Sequence, residues 1–114
     1  MWYSDYHVWI LPIHNRLVRL GLTKKMQTHL GMILHVDLPS IGSSCKKGDV
    51  LGILESSKSA IEVLSPVSGE ILDVNQVLTE NPKELNESPE EKGWLAIMRL
   101  DGELDTAQFS SSEE

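Results

Sequence analysis

The sequence predicts a mainly β domain, two small antiparallel sheets packed as a sandwich with pseudo-twofold symmetry and a few short helices. Short apolar runs with period two recur along the chain, separated by clusters of Pro, Gly, Ser and Asn. A motif also repeats: Gly31–Asp37 (GMILHVD) returns as Gly69–Asn75 (GEILDVN), a shared G-x-I-L-x-V-[D/N] grammar. Less sharply, Lys47 and Gly48 before Val50 and Leu51 are echoed by Lys92 and Gly93 before Trp94 and Leu95. Two echoes in the same order point to two related halves facing each other.

Taken in order, 7–11 and 16–22 read as strands around a turn at 12–15 (PIHN). Thr23 is placed to cap a short helix through Leu30, with Leu22, Met26 and Leu30 on one face and Gly31 as terminator. In 33–38, Leu34, Val36 and Leu38 alternate with His35 and Asp37, which predicts that these three apolar residues face inward. The segment 39–42 (PSIG) breaks that strand. Val50–Ser56 and 59–65 are the next two strands, separated only by Ser57 and Lys58, and Pro66 and Gly69 bound the second. Then 71–74 is a strand, Asn81 and Pro82 open a one-turn helix, and 94–100 is the last strand. Residues 1–100 therefore form the domain. Residues 101–114 hold five acidic and no basic side chains and a serine run, which predicts a frayed tail.

A chain of 114 residues can build one core, and two of its three tryptophans, Trp9 and Trp94, fall in strand-like segments able to anchor it. A net charge of −7 argues against a nucleic-acid or anionic-membrane partner, since both are themselves negative. Cys45 is the only cysteine, so neither an internal disulfide nor a CxxC metal clip is available, which favours a reducing compartment. Its setting between Ser44 and Lys46 predicts an exposed loop thiol. No apolar run approaches the roughly 20 residues of a membrane span. The N-terminal segment carries its aspartate first and its arginine last, the reverse of a secretory signal, so a cytoplasmic location is expected.

The most informative stretch is Gly52–Pro66 (GILESSKSAIEVLSP), in which two alternating runs flank a tight turn holding Lys58. Its neighbours Ser56, Ser57, Ser59 and Ala60 are all small, so the amine is open to a modifying enzyme and free to swing what it carries. Lysine at a hairpin tip is commonly no more than a solvated side chain. Here Glu55 and Glu62 add a carboxylate on each side.

That segment, Glu55–Glu70 (ESSKSAIEVLSPVSGE), resembles the lipoyl-attachment region of the glycine-cleavage H proteins, with Lys58 at the lipoylated position. The similarity extends from residue 3 to about residue 100. It includes Tyr3, His7 and Trp9, then Leu30 and Gly31, 36–39 (VDLP), Gly42, Lys47 and Gly48. Asn81 and Pro82, Leu85 and Asn86, Pro89, and Gly93 and Trp94 complete it in family order. The resemblance implies a flattened sandwich, a barrel-sandwich hybrid, with lipoate joined to Lys58 by an amide. Glu55, Ser57, Ser59, Glu62 and Gly69 would supply recognition and hairpin context. It further implies a carrier that performs no bond chemistry itself. The arm's disulfide would accept an aminomethyl group from a pyridoxal-phosphate glycine decarboxylase, an aminomethyltransferase would take the one-carbon unit, and a lipoamide dehydrogenase would reoxidise the dithiol. A lipoate ligase or lipoyltransferase would load the lysine. Tethering raises the local concentration of the reactive end at each docked enzyme.

Two departures set the chain apart from the family pattern. Val8 stands where members usually have glutamate, and Lys24 and Lys25 occupy a segment where an aspartate is usual. In the family these acids shelter the amine of the loaded arm, whereas valine accepts no hydrogen bond and lysines repel a protonated amine. The departures raise an alternative of a different kind, an H-like lipoate relay or regulatory lipoyl protein that does not support glycine cleavage. A biotin carrier shares the hairpin logic but normally flanks its lysine with methionines, not Ser57 and Ser59. His7, His14, His29 and His35 lack metal-motif spacing, and the serine pairs 43–44 and 56–57 lack an identifiable histidine and acid, so no enzyme constellation emerges.

Overall fold

Strand alternation produces two antiparallel sheets in the computed structural model, which describes residues 1–113. The larger has six strands: β1 (Trp2–Tyr3), β2 (Val8–His14), β3 (Leu17–Leu22), β9 (Ala96–Leu100), β8 (Gly69–Val74) and β5 (Ser44–Cys45), side by side in that order. The smaller has three, β4 (Ile33–Asp37), β6 (Val50–Ser56) and β7 (Ala60–Leu64), with β6 central. Extents of 37 × 32 × 22 Å describe the flattened sandwich the sequence predicts. Ile10, Leu20, Ile71 and Met98 from the large sheet join Ile33, Val36, Leu54 and Val63 from the small one in a single buried core. Each fully buried side chain of this size stabilises by about 1.5–3 kcal/mol.

The repeated motif falls on β4 in one sheet and β8 in the other, and both copies carry the same irregularity. Pairing slips between Ile33 and His35 in β4 and between Ile71 and Asp73 in β8. The leucine at the slip is the extra residue of a β-bulge, which disrupts alternation locally. Ile33 and Val36 therefore both point inward, while Leu34, expected inside, is 56% exposed. In the other copy Ile71 and Val74 are buried and Leu72 is half-buried. The lysine–glycine echo is looser: Gly48 has φ +91°, whereas Gly93 is required because a Cβ would come within 2.7 Å of the Leu85 Cα.

The helix after β3 forms as its capping residues predict. In α1 (Lys24–Leu30) the Thr23 hydroxyl accepts from the Met26 amide, and Gly31, at φ +78°, donates its N–H to the Gln27 carbonyl. Leu22 and Leu30 are buried and Met26 packs on the core. Two short helices, α2 (Val77–Glu80) and α3 (Lys83–Glu87), drive Leu78 and Leu85 into the interior. A helix does open after Asn81 and Pro82, but one residue later than a cap at asparagine predicts: Pro82 is the cap of α3 and Asn81 ends α2, its side chain accepting from the Lys83 amide. The Asn86 side chain accepts from Ile33 N at 2.7 Å and donates to Ile33 O at 2.9 Å. It thereby satisfies backbone groups on the edge of β4 as a neighbouring strand would.

Several expectations are corrected. The β2–β3 turn is Asn15 and Arg16 rather than 12–15, with Asn15 at φ +50°, and Pro12 lies within β2 beside a bulge. Asparagine tolerates that left-handed conformation better than most residues. Two short strands, β1 and β5, and the helix α2 carry too little pattern to be read from sequence. Cys45 is not a loop thiol: it lies in β5 opposite Gly69 and is 5% exposed. Burial pushes its thiol pKa above the ordinary value, with Asp49 adding to the rise and a Ser65 hydrogen bond opposing it. After β9, Thr106–Gln108 form a single 3-10 turn, Phe109 packs against the core, and Ser110 exchanges backbone hydrogen bonds with Tyr3.

Candidate functional site

The β6–β7 hairpin places Lys58 at its tip, and Ser56 builds the turn. The Ser56 amide donates to the Ser59 carbonyl at 2.8 Å. The Ser56 hydroxyl donates to that same carbonyl and accepts from the amides of Lys58 and Ser59, each at 3.3 Å. One hydroxyl proton and two lone pairs are thus all used. Sequence reasoning noted Ser56 only as small; its position two residues before Lys58 was the signal that it could close the turn. Lys58, Ser57, Ser59 and Ala60 are exposed, and among the described residues the Lys58 amine has no hydrogen-bond or ion-pair partner.

Behind the tip, register sets which side chains share a face. Glu55 lies opposite Ala60 on β7 and opposite His35 on β4, while Ile53 lies opposite Glu62 and Asp37. The inward row of the same strands is Leu54, Val36 and Ile61. Glu55 and Glu62 therefore share the outward face with His35 and Asp37, which approach at 3.4 Å. This acidic strip runs up to the lysine turn, and Leu34 on the adjoining strand and Met32 just before it stand exposed. Gly69 is not part of this group. It is buried in the other sheet between Cys45 and Leu100, where a Cβ would collide with the Arg99 carbonyl.

The departing positions lie elsewhere. Val8 is fully buried in the core, opposite Leu22. Lys24 and Lys25 are exposed at the start of α1, where their amides donate to Glu90 Oε2 at 2.9 Å and Glu113 Oε1 at 3.1 Å. Glu90 also accepts from the Tyr3 hydroxyl at 3.0 Å. The Tyr3 pKa is raised by burial first and then by Glu90 and Glu113. Among the described residues no cluster of His, Cys, Asp or Glu could hold a metal ion. No helix there is long and apolar enough to cross a membrane.

Comparison with known proteins bears on this arrangement. The family model described as Glycine cleavage H-protein matches residues 1–114. The glycine cleavage system H-like protein of Chlamydia pneumoniae is 68% identical over 114 residues, covering 100% of this chain and 99% of its own. The glycine cleavage system H protein of Kocuria rhizophila is 38% identical over 112 residues, covering 97% and 88%. The crystal structure of a glycine cleavage system H protein from Mycobacterium marinum superposes with a TM-score of 0.82 at 31% identity, covering 93% of this chain and 89% of that one. With the sandwich, the bulged repeat and the lysine hairpin already in place, full-length agreement in both sequence and fold leaves one conclusion: the chain belongs to the glycine cleavage H-protein family.

Proposed function

We propose that the chain carries lipoate as an amide on Lys58 and serves as the lipoyl carrier of the glycine cleavage system. In this role it would move the aminomethyl group of glycine between separate enzymes. The observation that carries the reading is the unpartnered amine of Lys58 on a turn already closed by Ser56. The residues fit the group. An acyl chain approaching Lys58 meets only Ser57, Ser59 and Ala60, so neither ligation nor swinging of the arm is obstructed. In ligation, Lys58 Nζ attacks the activated lipoyl carbonyl; an amide bond forms, the activating group leaves and one proton is released. When bound, lipoate supplies a dithiolane whose disulfide accepts both electrons and a carbon fragment. The chain's own part is to present the lysine and stay rigid behind it. Glu55 and Glu62 give an incoming ligase or lipoyltransferase an acidic landmark on the strands that lead into the lysine turn. The other partners would be a pyridoxal-phosphate glycine decarboxylase, an aminomethyltransferase and a lipoamide dehydrogenase, in the cytoplasm.

Incubation with lipoate, ATP and a lipoate ligase should add one lipoyl group by intact mass, and Lys58→Arg should abolish the addition. Modification mapped to Lys24, Lys25 or Lys83 would overturn the assignment.

A second reading is an H-like lipoate relay that does not support glycine cleavage. It is favoured by Val8 in the apolar core and by Glu90, whose carboxylate is already engaged by Tyr3 and Lys24. Neither then offers a free acid to a protonated amine on the arm. Mass spectrometry of the lipoylated protein supplied with a glycine decarboxylase and glycine separates the two. A long-lived aminomethyl adduct supports the carrier, and rapid loss with intact dithiol redox cycling supports the relay.

A further inference from the structure

The large sheet has an outward face turned away from the core. Strand register lays one row of it across four strands, Leu11, Arg19, Ile97 and Asp73, with Leu17, Arg99 and Glu70 in the next row. The chain has only three arginines, and Arg19 and Arg99 lie on this face while Arg16 lies in the turn at its rim. Their surroundings differ. Arg99 is ion-paired to Glu70 at 2.8 Å, and Arg16 reaches the Asp101 carbonyl at 3.5 Å. Asp73 holds the amide of Val74. Arg19 has no carboxylate partner among the described residues; its guanidinium lies over the Trp94 ring, 5.3 Å from the centroid. Its Nε is buried without a hydrogen-bond acceptor. Leu11, Leu17, Ile97 and Trp94 around it are each half-buried.

We propose that this face is a docking surface for a carboxylate-bearing segment of a partner protein, with Arg19 and Trp94 at its centre. Stacking on the indole fixes the plane of the guanidinium and leaves its edge to donate, which suits bidentate pairing with a carboxylate. An Arg and a Trp ringed by half-buried aliphatic groups have the make-up of an interface centre, since the ring excludes water once a partner covers it. Arg19 lacks a carboxylate partner among the described residues and its Nε is closed to an incoming one, so pairing falls to the terminal N–H groups of the guanidinium. An open sheet face, rather than an enclosed cavity, suits a polypeptide more than a small anion. A nucleic-acid strand, whose affinity rests on many phosphate contacts, would meet only three arginines here, of which Arg99 is paired to Glu70 and Arg16 reaches the Asp101 carbonyl. The face belongs to the six-stranded sheet and Lys58 to the three-stranded one across the core, so a partner held here leaves the lysine turn unobstructed. The surface does not depend on lipoylation.

The test is a heteronuclear NMR titration of the unmodified chain with a short, disordered acidic peptide of glutamate, leucine and serine. The Trp94 indole N–H is assigned through Trp94→Phe. The peptide should shift that resonance and the amides of Leu11, Leu17, Arg19 and Ile97. Arg19→Gln should weaken binding by about tenfold or more, as expected for the loss of a central Arg. Arg19→Lys, which keeps the charge but loses the planar fork, should fall between. Thermal melts and unperturbed core resonances check that both variants are folded. Any of four results overturns the proposal: shifts confined to other regions, Arg19→Gln binding as tightly as the parent, a single-stranded oligonucleotide binding the same face as well as the peptide, or concentration-dependent self-association producing the same shifts without peptide.

Discussion

The Trp9 indole lies directly over Gly21 in the neighbouring strand, so close that any Cβ at position 21 would overlap the ring. Trp9 points to the outer face of its sheet, yet it is 0% exposed because the segment at Pro89 covers it and takes its indole N–H in a 2.9 Å hydrogen bond. Trp94, expected from sequence to anchor the core alongside Trp9, is only half-buried under Arg19. Trp9→Ala should therefore cost about 3–5 kcal/mol. Gly21→Ala should cost about 1–3 kcal/mol through overpacking. Trp94→Ala should cost less than Trp9→Ala, and denaturant melts of the three variants check the order.

Lys58→Ala should leave stability within about 0.5 kcal/mol of the parent, because an exposed tip side chain buries little. Ser56→Ala removes the hydroxyl that holds the Lys58 and Ser59 amides and should cost about 0.5–1.5 kcal/mol. It should also slow lipoylation while leaving the amine chemically intact. Equal ligation rates for parent and Ser56→Ala would show that turn geometry is irrelevant to the ligase.

Placing glutamate at Val8 puts a carboxylate into a fully buried apolar site, so Val8→Glu should destabilise by on the order of 3 kcal/mol at neutral pH. Burial raises the pKa of such a group in the folded state above its unfolded value of about 4.3. The part of the penalty that comes from charge is then absent below the unfolded pKa, grows as pH rises above it and is complete above the folded pKa, while the cost of fitting the larger neutral side chain remains throughout. Melts at pH 4 and pH 7 should show the variant closer to the parent at the lower pH. A constant difference would mean that the introduced side chain reaches water.

Cys45 should react slowly with iodoacetamide in the folded protein, at least about tenfold slower than in urea, since only the thiolate attacks and burial disfavours it. Because its pKa is raised by folding, the unfolded chain ionises first. The stability this thiol contributes is intact below an unfolded value of about 8.5 and declines as pH rises above it. Cys45→Ser should flatten that part of the pH–stability curve. An unchanged curve would assign the alkaline loss to other groups.

The sequence by itself determined the β class, the α1 caps and the lysine hairpin. Each depends on signals confined to a few neighbours: alternation across six or seven residues, Thr23 and Gly31 bracketing a short amphipathic run, two strands separated by Ser57 and Lys58. It also showed the internal repeat. Other features depended on what came to lie opposite. Alternation placed Leu34 inside; the bulge that turns it out exists only once β4 pairs with β6. Local pattern made Trp9 and Trp94 equivalent anchors, and only the passage of Pro89 over β2 made one a buried tryptophan and left the other half open. Cys45 read as a loop thiol because two residues are too few to show a strand, and pairing with Gly69 buried it. Val8 showed a missing carboxylate in one dimension; in three it is a core side chain paired opposite Leu22. Burial is set by the elements that cover a residue, and those are distant in the chain.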